Sequence, residues 1–475
     1  MREIPARAIA VVATAAIVLA GLGACASTQG GSDATTKPPE GETTDLVAPT
    51  SASPDPDTPI DDPSHSLDWI PEGGLAAPMC PGTPMGDVPQ GQQADHCIDL
   101  AQAKLLPSDS LDEKFDFLPG HWVDTEYDKF VDSGTITKDG ELFYREIGED
   151  GDLTGGEVDS WRYGLLSEDG LRRFPDPAGV VSGRDEVPYS VAVGDGMWAW
   201  AQGPATDGPM APGDAWELIA GNTKSTRVIM SSKENRVEGE LGPAPGTLAI
   251  AGDWVYWTLY TNEMSLGDDG SLDLRDGDLW AAPLDGSQEP HVVAENTFSL
   301  WMSGNADGYC YVAVVEDGVF TIKRLESTAE AQTVVAPTPL PQGFELAGVV
   351  ASDDKLAWTI QEIDSTAKPI VTFVDLASGA TAVVTSSTSV FTGGGGDVSC
   401  STAICVIANF RNDGDATETY LVNLDNENVW RMGETDTASS ALVNGSWMVW
   451  LTGELDAAEY PVTRAHVGQL DSGKL

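Results

Sequence analysis

Three short stretches of this chain place carboxylates close to glycine, a pattern that can bind a hard cation through oxygen ligands. They are Glu149-Asp150-Gly151-Asp152, the run from Asp268-Asp269-Gly270 through Asp273 to Asp276-Gly277-Asp278, and Asn412-Asp413-Gly414-Asp415. Asp-Gly is also what a hairpin turn favours, and none of the stretches has the spacing of the EF-hand calcium loop. Turn formation is the simpler interpretation. The alternative is a calcium or cationic-ligand site formed by Asp150, Asp152, Asp269, Asp273, Asp276, Asp413 and Asp415.

The six cysteines fit an exported protein. Cys80 and Cys97 lie in one short irregular segment, and Cys400 and Cys405 flank a predicted tight turn, so both pairs are expected disulfides. Cys310 alternates with Tyr309 and Tyr311, which predicts a buried free thiol. The sequence has no CxxC motif and its histidines lack metal-ligand spacing, so it gives little support to a zinc or thiol-enzyme function.

The acidic stretches lie within a weak repeat that recurs seven times between Gly134 and the C-terminus. Each copy has a Gly, Asp or Asn turn and then an apolar strand, with a bulky residue four positions past the turn. These residues are Tyr144, Trp200, Trp257, Val312, Trp358, Val406 or Ile407, and Trp450. Strand-built repeats with a period of about 40 to 60 residues predict four-stranded blades arranged in a ring. We therefore expect an all-β, seven-bladed β-propeller over residues 121–475.

A second register supports the repeat, because another strand ends near a small or aliphatic residue in every copy. These residues are Leu165, Ala220, Leu284, Leu325, Leu376, Leu424 and Leu470. Strands a, b, c and d then follow in order, and the acidic stretches fall between strands b and c. The last copy has no room for strand d after Leu470, so we expect an N-terminal strand near residues 121–131 to close the ring.

The strand Gly252-Asp253-Trp254-Val255-Tyr256-Trp257-Thr258 resembles the signature of YWTD-type propellers, and the c strands resemble those of TolB-like bacterial propellers. The resemblance covers roughly residues 121–475. It implies the propeller fold and a binding function. It also implies that the b–c loops share one face with the d–a loops, around the mouth of the central channel.

The N-terminus predicts export and lipid attachment. Arg2 and Arg7 precede an apolar run that ends in Leu22-Gly23-Ala24-Cys25, which resembles the lipobox of bacterial lipoproteins. We expect a lipoprotein signal peptide over residues 1–24, acylation of Cys25 with diacylglycerol and palmitate-type chains, and a disordered tether over 25–66. Residues 67–120 are expected to form a small disulfide-containing cap or strap. The alternative is an ordinary signal peptide with an incidental cysteine.

Tryptophan positions divide into two groups. Trp200, Trp257, Trp358 and Trp450 share one repeat position and are expected in the core between blades, although aromatic faces can also stack on sugars. The tryptophans that lie off the repeat register are better candidates for exposed contacts; these are Trp69, Trp122, Trp301 and Trp430.

The charge of the chain narrows the classes of partner. Seventy-five acidic residues against 25 basic ones give a net charge of −50, which opposes binding to nucleic acid and to anionic headgroups. A basic envelope protein or peptide, or calcium, remains compatible with it, and surface solubility is the simpler interpretation. Common hydrolase and phosphate-loop motifs are absent from the sequence. We therefore expect a non-catalytic binding or scaffolding lipoprotein on the extracytoplasmic side of the cell membrane. The alternative is a glycan-active hydrolase or lyase with acids at the channel mouth.

Overall fold

The computed structural model describes most of the region from residue 67 to the C-terminus. The described residues are 67, 69–83, 92–107, 109–117, 129–147, 161–175, 186–194, 196–204, 216–232, 245–260, 277–295, 301–326, 331–352, 354–363, 369–386, 398–401, 404–410, 417–435, 441–455 and 461–475. Their regular structure is β-strand, apart from two 3-10 turns at Leu100–Gln102 and Ser472–Lys474. Within these ranges, none of the helical segments has the length and hydrophobicity needed to cross a bilayer.

Five strands precede the ring. They are β1 (Pro78–Met79), β2 (Gln92–Gln93), β3 (His96–Asp99), β4 (Lys104–Leu105) and β5 (Leu111–Phe117). We call described residues 67–107, which contain β1 to β4, the strap, and we call β5 the closure strand.

Seven blades form the ring, and each takes its strands in chain order except blade 7, whose outer strand is β5. Blade 1 contains β6 (Lys129–Ile136), β7 (Leu142–Ile147), β8 (Trp161–Ser167) and β9 (Gly170–Arg173). Blade 2 contains β10 (Glu186–Val193), β11 (Trp198–Pro204), β12 (Glu217–Gly221) and β13 (Thr226–Ser231). Blade 3 contains β14 (Pro245–Ala251), β15 (Trp254–Tyr260), β16 (Gly277–Pro283) and β17 (His291–Ala294). Blade 4 contains β18 (Met302–Gly304), β19 (Cys310–Glu316), β20 (Val319–Leu325) and β21 (Gln332–Pro339).

The remaining three blades are those that receive β3, β4 and β5. Blade 5 contains β22 (Phe344–Ala351), β23 (Lys355–Glu362), β24 (Ile370–Asp375) and β25 (Thr381–Thr385). Blade 6 contains β26 (Val398–Cys400), β27 (Ile404–Phe410), β28 (Thr417–Asn423) and β29 (Asn428–Thr435). Blade 7 contains β30 (Ala441–Asn444), β31 (Trp447–Leu455) and β32 (Pro461–Leu470). The seven sheets confirm the predicted all-β, seven-bladed propeller.

Backbone hydrogen bonds join the two sets of repeated residues, the leucine after strand c and the turn before strand b. The N–H of Leu376, which follows strand c of blade 5, donates to the carbonyl of Asp354 in the a–b turn at 2.7 Å. The same bond joins Leu284 to Asp253 in blade 3 and Leu470 to Ser446 in blade 7, each at 2.8 Å. Because these residues close the same turn pair in each copy, their spacing is repeated along the chain.

An N-terminal strand closes the ring, as expected, but it is not the segment that the sequence indicated. The closure strand β5 pairs antiparallel with β32, with Leu111 opposite Leu470, and forms the outer strand of blade 7. Residues 129–131 instead belong to β6, the innermost strand of blade 1, which pairs with β7. Residues 121–128 lie outside the described residues. Leu111 and Phe115 pack against the cores on the two sides of blade 7. A register shift opposite Val467 and Gly468 turns these residues, four positions apart, to opposite faces, so no regular strand pattern marks them in the sequence.

The core lies between neighbouring blades. Trp200, Trp257 and Trp358 are each 1% exposed or less, which confirms that the repeated aromatic position faces the interior. Trp450 is an exception, because it is only partly buried beside the core of blades 6 and 7. Burying such aromatic surface between blades contributes a large share of the favourable free energy of folding.

The expectation of exposed contacts for the off-register tryptophans is wrong for Trp430, which is only 5% exposed. It packs between blades 6 and 7, and strand β4 covers its backbone from the outside. Trp69 and Trp301 are partly buried against the core of blades 4 and 5. Trp122 lies outside the described residues.

Candidate functional site

The strand pairing gives the ring two distinct rims. Because neighbouring strands within a blade are antiparallel, the a–b and c–d turns lie at one rim, which we call the lower rim. The b–c and d–a connections lie at the opposite, upper rim. This supports the geometry that the resemblance to known propellers implied for the b–c loops.

Paired strand ends at the upper rim flank each of the three acidic stretches. Residues 148–160 connect Ile147 to Trp161, which are partners in neighbouring strands. Residues 261–276 connect the partners Tyr260 and Gly277 in the same way. Residues 411–416 begin and end at the pair Phe410 and Thr417. The candidate cation ligands themselves lie outside the described residues; these are Asp150, Asp152, Asp269, Asp273, Asp276, Asp413 and Asp415. Their role in cation binding therefore stays a prediction.

The three acidic stretches leave the ring at well-separated blades. Blade 2 lies between blades 1 and 3, blades 4 and 5 lie between blades 3 and 6, and blade 7 separates blade 6 from blade 1. A single cation needs all its ligands within a few ångströms of one another. The spread of the strand ends therefore favours acids distributed around the mouth over one ion shared by all three loops.

Blade 4 differs from these blades at the upper rim. Its b–c connection is a tight turn between Glu316 and Val319, in which Asp317 and Gly318 both have positive φ. This is the backbone that a two-residue hairpin turn requires, and glycine supplies it without steric cost. The rim is consequently low at this blade, and it exposes the apolar side chain of Val315 next to the turn.

Pairs of polar side chains lie just below the upper rim in two other blades, buried in blade 2 and partly buried in blade 5. In blade 2, Trp200 Nε1 donates to Gln202 Oε1 at 3.2 Å, and Gln202 Nε2 donates to Glu217 Oε2 at 3.4 Å. In blade 5, Gln361 Nε2 donates to Glu345 Oε1 at 2.8 Å. Glu345 is the only acid in the five innermost strands whose side chains the structure describes, β14, β18, β22, β26 and β30.

A buried ion-pair cluster lies at the lower rim of blade 5. Lys355 Nζ contacts Asp375 at 2.7 Å and Asp354 at 3.3 Å, and its side chain is 4% exposed. Burial alone would raise the pKa of Asp375, but hydrogen bonds from Lys355 and Ser378 outweigh it and lower that pKa. Burial raises the pKa of Asp354 by more than Lys355 lowers it. Since both carboxylates flank the a–b and c–d turns, the cluster holds the turns together, which is a structural function.

The cysteines form the expected pairs. Cys80 is bonded to Cys97 and Cys400 to Cys405, whereas Cys310 is a buried free thiol, as predicted. Burial strongly raises the pKa of the Cys310 thiol, so it does not supply a thiolate nucleophile at neutral pH. Cys25 lies outside the described residues. Within the described ranges, no three His, Cys, Asp or Glu side chains are grouped so as to hold a metal ion.

One feature of the ring's outer side escaped the sequence analysis altogether. A groove opens between blades 6 and 7, with Trp450 at its base and Glu113 at its edge. Trp450 occupies the same repeat position as three fully buried tryptophans, and Glu113 is separated from it by most of the chain. No local pattern could have brought the two residues together.

Comparison with known proteins adds the fold alone. No protein-family model matches the chain, and no curated protein matches it. Solved structures with a similar fold include an oligogalacturonate lyase in complex with manganese, at 12% identity and a TM-score of 0.47, covering 78% of this chain and 100% of that one.

Two further structures are similar at the level of the fold. Prolyl oligopeptidase B from Galerina marginata has 12% identity and a TM-score of 0.42 over 69% of this chain, which spans 47% of that enzyme's length. TolB from Acinetobacter baumannii has 14% identity and a TM-score of 0.33, covering 57% of this chain and 59% of TolB.

Proposed function

We propose that the protein is a lipid-anchored, non-catalytic binding or scaffolding protein on the extracytoplasmic side of the cell membrane. It binds a basic envelope protein or peptide at the upper rim, where the acidic b–c loops surround the mouth of the ring. Calcium is a candidate second ligand of the same loops.

The observation that supports this proposal most directly is that three acidic stretches leave the ring at one rim. Their flanking strand ends, at Ile147, Tyr260 and Phe410, belong to blades on different sides of the ring. Carboxylates distributed around one mouth produce a negative potential over the whole face. Such a potential accelerates association with a positively charged partner and selects against acidic ones. The net charge of −50 acts in the same direction.

The position of the strap supports the proposal that a partner binds at the upper rim. Trp69 Nε1 donates to the carbonyl of Leu376 at 2.9 Å, and its ring packs on Gly379 in the c–d turn of blade 5. The first described residues of the chain therefore meet the ring at its lower rim. A random-coil tether over residues 25–66 would span on average about 35 Å. The proposed anchor would thus join the side opposite the partner's face.

Binding of a short oligolysine peptide tests the proposal. We expect the wild-type protein to bind it with an affinity that falls steeply as salt rises, because the attraction between exposed charges is screened. Changing Asp269, Asp273 and Asp276 to Asn should weaken binding at low salt. The control is Asp253→Asn with Asp285→Asn and Glu289→Gln, which removes equal charge from exposed positions at the lower rim of the same blade. Equal weakening by both variants would contradict a specific face.

Calcium is tested with the same two variants. If the loop of blade 3 binds the ion, millimolar calcium should raise the melting temperature of the wild type and of the lower-rim control. The Asp269, Asp273 and Asp276 variant should lose this shift and should melt higher than the wild type without calcium, because charge repulsion is removed. If calcium raises the melting temperature of the wild type no more than a monovalent salt of equal ionic strength does, these acids serve only to form turns.

The lipid anchor is tested separately by Cys25→Ser in the full chain expressed in a bacterium. We expect the variant to leave the membrane fraction, because buried acyl chains rather than protein contacts hold the protein there. Retention of the variant at the membrane would disprove the anchor without affecting the test of the upper rim.

A further inference from the structure

A groove of about 300 Å³ opens on the outer side of the ring between blades 6 and 7. Three elements that are distant in sequence form it. The strap contributes Leu105, Leu106 and Pro107, the closure strand contributes Leu111 and Glu113, and the blades contribute Met432 and Trp450. Six of these side chains are apolar and one is a carboxylate. The volume is at the lower end of the range for small-molecule pockets.

The base of the groove is a supported aromatic surface. The indole of Trp450 stacks on the imidazole of His466, with ring centroids 5.2 Å apart and planes 12° from parallel. His466 Nε2 is 2.8 Å from Thr452 Oγ1, which fixes the imidazole in place. His466 Nδ1 is buried and lies 3.3 Å from Glu113 Oε1 without making a hydrogen bond. The base is therefore held rigid by contacts within blade 7.

The edge of the groove combines an exposed apolar residue with a carboxylate. Leu105 is 68% exposed, more than any other large hydrophobic residue that the structure describes. The Glu113 side chain is 49% exposed, so its carboxylate remains hydrated and is accessible to a ligand. An apolar wall next to an accessible anion suits a ligand with an apolar body and a positive end.

We propose that this groove binds a small organic cation, a protonated amine on an aromatic or aliphatic body. The apolar body occupies the space between Leu105, Met432 and Trp450, and the ammonium group pairs with Glu113. The face of the indole attracts the same positive charge through its quadrupole. Among the described residues that line the groove, Glu113 is the only charged one, so its carboxylate would repel an anionic ligand. The volume accommodates a body of about a dozen non-hydrogen atoms.

This site is separate from the proposed partner face. Its described lining comes from the strap, the closure strand, strand β29 of blade 6 and strand β31 of blade 7, and not from the b–c loops. Failure of either proposal therefore leaves the other standing.

The experiment measures binding of 2-phenylethylammonium to the full chain by titration calorimetry or ligand-observed NMR. The neutral 2-phenylethanol and the anionic 3-phenylpropanoate, which have the same aromatic body, are the comparison probes. We expect the amine to bind most tightly, the alcohol weakly and the acid not at all. Glu113→Gln should weaken amine binding about tenfold, because it removes a charge-assisted hydrogen bond. The same variant should leave binding of the alcohol unchanged.

Two further variants separate the groove from general surface effects. Leu105→Ser changes an exposed side chain, so it should leave folding intact while weakening binding of both the amine and the alcohol. The controls are Glu362→Gln and Ile363→Ser, an exposed acid and a 57% exposed aliphatic residue on blade 5, and neither should affect binding. Alcohol binding as tight as amine binding, or equal effects of the groove and control variants, would overturn the proposal. Absence of amine binding at several millimolar would also overturn it.

Discussion

The two halves of the ring differ at their outer edges. In blade 5 the outer strand β25 is buried at four of its five positions, because strand β3 of the strap pairs alongside it. In blade 3 the outer strand β17 is only half-buried along its whole length. The same repeat unit thus produces a covered edge in one half and, among the described residues, an uncovered edge in the other. The repeat specifies the ring, whereas the strap specifies which edges are protected.

The strap follows the outer edges of successive blades. Leu75 exchanges backbone hydrogen bonds with strand β21 of blade 4, donating to Val334 and accepting from Ala336. Strand β3 then pairs with blade 5 and strand β4 with blade 6. The closure strand finally completes blade 7. Pairing of this kind satisfies backbone groups that an open sheet edge would leave available for aggregation.

The strap also contributes to the interior. Leu67, Ile70 and Leu75 are each buried and pack into the core shared by blades 4 and 5. Burying an aliphatic side chain of this size stabilises a fold by roughly 1.5 to 3 kcal/mol. Removing the strap should therefore destabilise blades 4 and 5 more than it changes blades 1 to 3.

The largest expected effect comes from removing the closure strand. We compare a chain that begins at residue 109, which lacks the strap but keeps β5, with one that begins at residue 118. The first should fold with a lowered melting temperature, because blades 5 and 6 retain their own four strands. The second should lose about 5 kcal/mol or more, or fail to unfold cooperatively, since blade 7 would expose both the edge of β32 and its core. Thermal denaturation, monitored by circular dichroism, measures the stability of both truncated chains.

The comparison between the two truncations decides where ring closure takes place. Equal melting temperatures for the chains beginning at residues 109 and 118 would show that β5 does not hold the ring closed. A chain beginning at residue 67 serves as the reference for both.

The sequence predicted the ring well because blade formation depends on local periodicity. Turn residues such as Asp253 and aromatic residues such as Trp257 recur at fixed offsets, and each blade pairs mainly with itself. The path of the strap could not be predicted in the same way. Its pairings join Val383 to Cys97 and Arg431 to Leu105, partners separated by most of the chain, and no repeat period marks them.

The candidate sites also differ in how far the sequence could predict them. The rim at which the acidic loops leave the ring follows from strand order, which the sequence could indicate. The groove between blades 6 and 7 depends on tertiary contacts among the strap, the closure strand and the blades, which are distant in sequence. Short strands such as β4 also carry too few residues for a strand pattern to be visible.

A smaller loss of stability is expected from removing the disulfide that crosslinks the strap. Replacing Cys80 and Cys97 with Ala opens a loop with a sequence separation of 17, which by loop entropy contributes about 3 kcal/mol. Replacing Cys400 and Cys405, with a separation of 5, removes about 2 kcal/mol. Hydrogen exchange should show loss of protection in β3 and β25 for the first pair, and in blade 6 for the second. Loss of protection in blades 1 to 3 after either change would contradict a strap that acts locally.

The smallest effect is expected at the hydrogen bonds that join the strap to blade 5. Asp95 Oδ2 accepts from the backbone N–H of Thr381 at 2.9 Å and from its hydroxyl at 3.0 Å. These bonds lower the pKa of Asp95 below its usual value. A lowered pKa means that the carboxylate stabilises the folded chain at pH values above its unfolded pKa, and that this contribution is lost as the pH falls through the folded value.

Asp95→Asn should therefore reduce the acid sensitivity of the pairing between β3 and β25, with little change in total stability. Because Asp95 is exposed, the loss at neutral pH should stay below about 1 kcal/mol. The matched control is Asp285→Asn in blade 3, where hydrogen bonds from Ser287 within the same turn also lower the carboxylate pKa. Hydrogen exchange of β25 as a function of pH measures the difference. If the two variants changed the exchange of β25 equally, the carboxylate of Asp95 would not be what holds the strap to blade 5.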